Sequence, residues 1–287
     1  MNIKLKMILL SPIWLWRFFR IISKSNTYRR NPTLYVAQER HDYVLKRVKK
    51  ILKTLKIQLK IKGFDKLPQS AILYANHVSN LDPLIILAAL EKQSKEKSIK
   101  NKIVNFLAKQ ELENNWKTRI PLNLIDTFYL NRQNPREALK TIDSFGTFIK
   151  ENKSLGVIFP EGTRSQSDKL LDFKPGAFKI PKSKFFAIVP ITINNSGQAL
   201  NPKRSKKLTI EVIFHDPIDA FKIQNLETYQ IAHIVKNTIE SKYTKQDVYV
   251  SKKSLKPQKV KNKLTYVEKR AKKQAKLEAK ANKYKDF

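Results

Sequence analysis

Residues 71–83 read AILYANHVSNLDP, and three kinds of local structure follow one another within them. Ala71 to Ala75 is an unbroken apolar run of strand length, as a strand buried on both faces requires. Asn76 to Asp82 is polar and loop-forming. Pro83 suits the first turn of a helix and Asp82 suits the cap before it, with the helix expected over Pro83–Leu90. Upstream, Ile57, Leu59 and Ile61 alternate with polar residues, which predicts a half-buried strand, followed by a turn from Gly63 to Pro68. Downstream, apolar runs at Ile103–Leu107, Leu155–Phe159, Ala187–Ile193 and Leu208–Phe214 read as further strands. Helical patterns fall between them at Pro135–Lys150, Gly176–Lys182 and Glu227–Lys242. Strands alternating with helices predict an α/β fold, a mostly parallel sheet flanked by helices. In such sheets chemistry collects in loops beyond the carboxyl ends of the strands.

Composition narrows the function. The chain has 287 residues, 41% of them hydrophobic, enough for one sizeable core. It has no cysteine, which excludes disulfides, thiolate metal sites and a cysteine nucleophile. None of its six glycines forms a glycine-rich phosphate cradle. Basic residues outnumber acidic ones 58 to 24, for a net charge of +34. Residues 1–60 carry +13 of that excess, residues 252–287 carry +11, and the long middle only +10. A surface this positive suits a polyanion, either anionic lipid or nucleic acid. Charge gathered at the ends rather than on the folded middle favours lipid over nucleic acid.

The N-terminal flank points the same way. Met7 to Ile22 reads MILLSPIWLWRFFRII, with Trp14, Trp16, Phe18 and Phe19 beside Arg17 and Arg20. The run is shorter than a span of ~20 apolar residues and is interrupted by Ser11-Pro12. Tryptophan beside arginine is what the headgroup layer favours; packing on the protein's own core is the plainer alternative. No small-residue cleavage site follows, as a signal peptide would need. A second amphipathic helix is expected over Glu39–Leu55, with Val44, Val48, Ile51 and Leu55 on one face and lysines on the other. The expected organisation is residues 1–55 as membrane-docking helices, 56–250 as the catalytic domain, and 251–287 as a basic lysine- and alanine-rich tail, with Leu264, Val267 and Ala271 as its helical stripe. A basic chain of this kind is expected at the cytoplasmic side of the cell membrane, peripheral or monotopic.

Two loops carry the candidate chemistry. In the first, an Asp82 carboxylate four intervening residues from His77 can reach its ring, fix the tautomer and steady an imidazolium. On spacing alone, Asp82 is equally well explained as a helix cap. In the second, Phe159-Pro160-Glu161-Gly162-Thr163-Arg164-Ser165 follows a strand and offers small residues, a hydroxyl and a phosphate-binding guanidinium. An exposed turn with a Glu–Arg pair fits that pattern as well. Of the other histidines, His41, His215 and His233 read as structural or exposed.

Taken together, Asn76-His77 with Asp82 and Phe159–Ser165, some eighty residues apart, resemble the glycerophospholipid acyltransferase family, most closely the 1-acyl-glycerol-3-phosphate acyltransferases. Further blocks are similar in order: Lys60–Gly63 with Leu67-Pro68, Ala108–Leu112, Asp126–Arg132, Phe173–Gly176 and Ile188–Ile191. The likeness covers roughly residues 55–220. The arginine block lacks the family's usual nearby glycine, and the basic tail is no family feature.

The resemblance implies a set of roles. His77, oriented by Asp82, is the general base that takes a proton from the free hydroxyl of lysophosphatidic acid as it attacks an acyl thioester, giving phosphatidic acid. Acyl-CoA or acyl-carrier protein is the co-substrate, and no metal or redox cofactor is implied. With no cysteine and no Gly-x-Ser-x-Gly elbow the attack is expected to be direct, and Ser79 reads as a loop hydrogen-bonder. Lys109, Arg132 and Arg164 are the candidate phosphate-binding cations. Gly162 and Thr163 complete that loop, and Glu161 is expected to bind an acceptor hydroxyl or brace the arginines. Glycerol 3-phosphate or another lysophospholipid is the alternative acceptor. A non-enzymatic nucleic-acid-binding protein is the outside alternative.

Overall fold

The computed structural model describes residues 1–250; the expected basic tail, 251–287, lies outside the described residues. In chain order the elements are α1 (Ile3–Leu9), α2 (Ser11–Arg30), α3 (Ala37–Thr54), β1 (Ile57–Lys62), β2 (Ala71–Ala75), α4 (Asp82–Ala89), β3 (Val104–Lys109), α5 (Gln110–Asn114), α6 (Trp116–Asn123), β4 (Phe128–Leu130), α7 (Pro135–Glu151), β5 (Leu155–Ile158), α8 (Lys179–Lys184), β6 (Ile188–Asn194), β7 (Leu208–Phe214), α9 (Ala220–Ile223) and α10 (Thr228–Glu240). Seven strands form one sheet in the order β1-β7-β6-β2-β5-β3-β4. All neighbours are parallel except β6 and β7. The expected α/β fold, a mostly parallel sheet flanked by helices, is the fold observed.

Strand β2 shows why the sheet holds together. Its five residues are all buried, and they divide by parity. Ala71, Leu73 and Ala75 face a core shared with Val44, Leu45, Val48 and Leu52 of α3 and Ile85–Ala89 of α4. Ile72 and Tyr74 face a second core made with Phe145 and Ile149 of α7, Phe178, and Ile231, Val235 and Ile239 of α10. Two helical layers therefore press on one strand, which is why its sequence is continuously apolar. Gly156 in the adjacent β5 yields its side-chain space to that second core: a Cβ there would stand 2.9 Å from Ile72 Cδ1 and 3.0 Å from Phe145 Cζ.

Register places the loops. Tyr74 of β2 lies opposite both Ile158 of β5 and Pro190 of β6. The ends of β2 and β5 are thus level and adjacent, and the segments after them emerge side by side.

Three departures from the sequence reading have identifiable causes. The apolar run Met7–Ile22 is two helices, because Pro12 lacks an amide hydrogen and begins a new first turn; α2 then continues through polar residues to Arg30. The expected helix Gly176–Lys182 is a 3-10 turn at Pro175–Phe178, begun by Pro175, followed by α8, whose first turn contains Pro181. The short strand β4 and helices α5, α6 and α9 were not foreseen, since three to eight residues give too little periodicity to read.

Filling the Gly156 position tests the two-layer packing. Gly156→Ala should lower stability by about 1–3 kcal/mol through overpacking, read as a lower urea midpoint; an unchanged midpoint would show that Phe145 has room to move.

Candidate active site

The loop leaving β2 is held by hydrogen bonds at Asn76, His77, Val78 and Ser79. Asn76 is fully buried; its Nδ2 donates to Ile193 O at 3.0 Å, and its Oδ1 accepts from Ile193 N at 2.8 Å. The side chain thereby prolongs the contact between β2 and β6 where the backbone of β2 turns away. His77 Nδ1 lies 2.8 Å from Asp82 Oδ2. That oxygen also accepts from Val78 N at 2.8 Å and Ser79 N at 2.7 Å. Asp82 is 0% exposed, so these donors replace the water lost at Oδ2, while Oδ1 is buried without a hydrogen-bond partner. With Asp82 ionised, Nδ1 carries the hydrogen and Nε2 is left as an acceptor. The His77 ring stacks on Phe159 at 4.3 Å between centroids. Ser79 Oγ accepts from Leu81 N at 3.3 Å, the loop role expected of it.

The second loop is tied directly to the first. Glu161 is 1% exposed. Its Oε1 accepts from His77 N at 2.7 Å and its Oε2 from Leu171 N at 2.9 Å, while Ser165 N donates to His77 O at 2.8 Å. Both oxygens of Glu161 thus serve backbone amides, so the side chain braces the two loops against each other. Burial lifts the Glu161 carboxyl to about 7, the two amides oppose that rise, and the nearby Asp82 charge adds to it.

The remaining candidates lie along the same edge of the sheet. Gly162 adopts φ +75°, a conformation that favours glycine, and its carbonyl accepts from Arg132 Nη1. A Cβ on Gly162 would stand 3.3 Å from that nitrogen and 3.7 Å from Lys174 Cγ. Arg132 follows β4 by two residues, and Lys109 ends β3 opposite Leu130 of β4. Thr163 is exposed and Arg164 half-buried in the turn between Gly162 and Ser165. The structure therefore joins His77, Asp82 and Glu161 in one hydrogen-bonded unit and Arg132 with Gly162 in another. Among the described residues, no three acidic or histidine side chains are placed to hold a metal ion.

Sequence reasoning missed three contributors: the Asn76 bridge, the Phe159 stack and Lys174 beside Gly162. Each lies within a stretch already singled out, but nothing in its spacing reveals the partner. His41 is buried on α3, His233 is exposed on α10, and His215 places Nε2 2.8 Å from Thr192 Oγ1. None of the three hydrogen-bonds to the dyad.

Known proteins share this chain's sequence pattern and fold. The Acyltransferase family profile matches residues 58–194, which contain both loops. A probable 1-acyl-sn-glycerol-3-phosphate acyltransferase of Mycoplasma pneumoniae is 30% identical over 83% of this chain and 91% of its own length. A second, from Mycoplasma genitalium, is 27% identical over 82% and 89%. The chain belongs to the 1-acyl-sn-glycerol-3-phosphate acyltransferase family. Its fold matches the crystal structure of the 1-acyl-sn-glycerophosphate acyltransferase of Thermotoga maritima, with a TM-score of 0.59, 19% identity, and coverage of 83% of this chain and 94% of that one.

The raised Glu161 carboxyl has a measurable consequence. Between its ordinary value of 4.5 and about 7, the folded chain holds a proton that the unfolded chain has released, so stability falls as pH rises across that window and levels off above it. Urea midpoints from pH 4.5 to 8 should show this slope in the wild type and lose it in Glu161→Gln. An identical slope in both would place the titration elsewhere.

Proposed function

We propose that this chain transfers an acyl group to the free hydroxyl of lysophosphatidic acid, giving phosphatidic acid in phospholipid biosynthesis, with His77 as general base. The observation that carries the reading is the 2.8 Å contact of His77 with a fully buried Asp82, on a loop hydrogen-bonded to the Glu-Gly-Thr-Arg turn. Nε2 takes the hydroxyl proton as the oxygen bonds to the thioester carbonyl carbon. The tetrahedral intermediate expels the thiolate as the carbon–sulfur bond breaks, and the imidazolium returns the proton to sulfur. Asp82 stabilises the charged ring in between. The donor is acyl-CoA or acyl-carrier protein. Arg132, Arg164 and Lys109, with Lys174 nearby, supply positive charge for the acceptor phosphate. Gly162 lets the turn come close, Thr163 offers a hydroxyl beside it, and Glu161 acts by holding the loops rather than by touching substrate.

The acceptor is a membrane lipid, and the N-terminal helices suit a membrane surface on the cytoplasmic side. Leu9, Ile13, Leu15, Trp16 and Phe19 are exposed, whereas Phe18 on another face of α2 meets Trp116 of α6 at 5.7 Å. One face thus packs on the protein and another is left to solvent. Arg17 and Arg20 lie over the rings of Trp14 and Trp16. A groove of about 670 Å³ beside the edge strand β1 is lined by Lys53, Lys56, Lys92 and Lys207, with Lys49 paired to Glu91, and by apolar Leu52, Ile57 and Leu59, a net positive lining complementary to anionic headgroups. Among the described residues no helix is long and apolar enough to cross a membrane.

Purified protein given lysophosphatidic acid with acyl-CoA or acyl-carrier protein should form phosphatidic acid. His77→Ala should reduce kcat by about 10²–10⁴-fold, Asp82→Asn should also reduce it strongly, and Ser79→Ala should retain turnover. A trapped acyl-protein together with an inactive Ser79→Ala variant would overturn direct attack. Preference for glycerol 3-phosphate in competition would reassign the acceptor.

Sedimentation with vesicles tests the surface reading. Wild type should pellet with phosphatidylglycerol-containing vesicles, and Trp16→Glu/Phe19→Glu should not, while that variant keeps its turnover of a water-soluble short-chain acceptor. Equal pelleting of both proteins would remove these rings from the interface.

A further inference from the structure

We infer that Arg40 and Asp126 are positioning residues for Arg132, fixing where the phosphate-binding arginine stands on the edge of the sheet. The inference rests on Arg132 having that role. Strand β4, which delivers Arg132, has only three residues and one neighbour, pairing Phe128–Leu130 with Leu107–Lys109 of β3. A ladder this short at a sheet edge holds its register weakly. Something before it must set where it begins.

The turn before β4 is held more firmly than the strand. Ile125 O accepts from the buried Asn105 Nδ2 at 3.0 Å. Asp126 then adopts φ +47°, a left-handed conformation that a non-glycine residue keeps only when its surroundings enforce it. The enforcement comes from the N-terminal helices. Arg40 of α3 is 6% exposed; its Nη1 donates to Asp126 Oδ2 at 2.8 Å and to Leu124 O at 2.9 Å, and its Nε donates to Tyr35 O at 3.3 Å. Tyr28 OH of α2 donates to Asp126 Oδ1 at 3.1 Å, and the guanidinium lies 4.1 Å above the Tyr28 ring. Both carboxylate oxygens are occupied, and each anchors the turn to a different helix. Six residues later Arg132 reaches Gly162 O.

This geometry has a functional reading. Arg40 and Asp126 touch neither the dyad nor the phosphate-binding turn, so they act through the placement of β4. Loss of the pair lets the strand and its arginine drift, which weakens the hold on the acceptor's phosphate and leaves proton transfer at His77 intact. Because Tyr28 sits on α2, the acceptor seat is also tied to the helix that carries the exposed aromatic face.

The test uses the full chain, a water-soluble short-chain lysophosphatidic acid and saturating acyl donor, with Arg132→Ala as the reference. Asp126→Ala and Arg40→Met should each raise KM for the acceptor by on the order of tenfold, with kcat and the donor KM within about twofold. The double variant should be no worse than either single one. Asp126→Asn keeps an acceptor oxygen and tolerates the left-handed backbone, so it should recover most of the affinity. Tyr28→Phe, which removes one hydroxyl and leaves the packing, should give a smaller rise in KM and serves if the harsher variants fail to fold. If Arg132→Ala leaves the acceptor KM unchanged, the phosphate role of Arg132 fails and the inference falls with it. If Arg132→Ala raises that KM while the Asp126, Arg40 and Tyr28 variants change only kcat or thermal midpoint, the network is structural and the positioning role is overturned.

Discussion

The Asp82 carboxylate, withdrawn from solvent, is held by donors from the loop that precedes it. Three of them, the His77 ring and the amides of Val78 and Ser79, converge on one oxygen. A buried carboxylate without such partners would be strongly destabilising, so the loop must curl until its amides point inward. That curl is what aims His77 toward the carboxyl edge of the sheet. The orientation of the His77 ring therefore follows from solvating an acid in the interior.

Two buried carboxylates divide the work at this edge. Asp82 orients the ring, whereas Glu161 takes one amide from His77 and one from Leu171. Holding them together is the parallel pairing of β2 and β5, which ends both strands at one level. Had the two strands been separated in the sheet, the same two motifs would face different solvent. Asn76 contributes by joining β2 to β6 after the ladder ends, so the His77 backbone is fixed from three sides. This bracing keeps the His77 ring and the Glu-Gly-Thr-Arg turn at a constant separation.

The N-terminal helices belong to the same mechanical unit. Helix α3 closes one core through Val44, Leu45, Val48 and Leu52, so the face read as amphipathic is a core face. Helix α2 rests on α6 through Phe18 and Ser25, whose hydroxyl donates to Ile120 O at 3.1 Å, and keeps Trp16 and Phe19 in solvent.

Local pattern was enough for much of this molecule. The parity of Ile57–Ile61, the continuous apolarity of Ala71–Ala75 and the helical spacing in α3, α7 and α10 announce their elements, because side-chain burial repeats with backbone geometry. The His77–Asp82 spacing and the Phe159–Ser165 turn marked the site through their resemblance to a family. What pattern could not reach were the contacts between distant segments. The reversal of β7 against β6 arises from the connection 195–207, whose sequence does not state its direction. Strand β4 was too short to show a period. Glu161 is expected to bind an acceptor hydroxyl or brace the arginines, but its side chain turns inward to the Leu171 amide and to the His77 amide eighty-four residues back in the chain, a contact no local rule encodes. The amino-acid order by itself determined which segments would be buried strands and helices and which side chains could do chemistry, since those depend on periodicity and residue type. Only tertiary structure decided which loops meet, which carboxylate orients the ring and which merely braces it, because that depends on strand order and on the demand that every buried charge find donors.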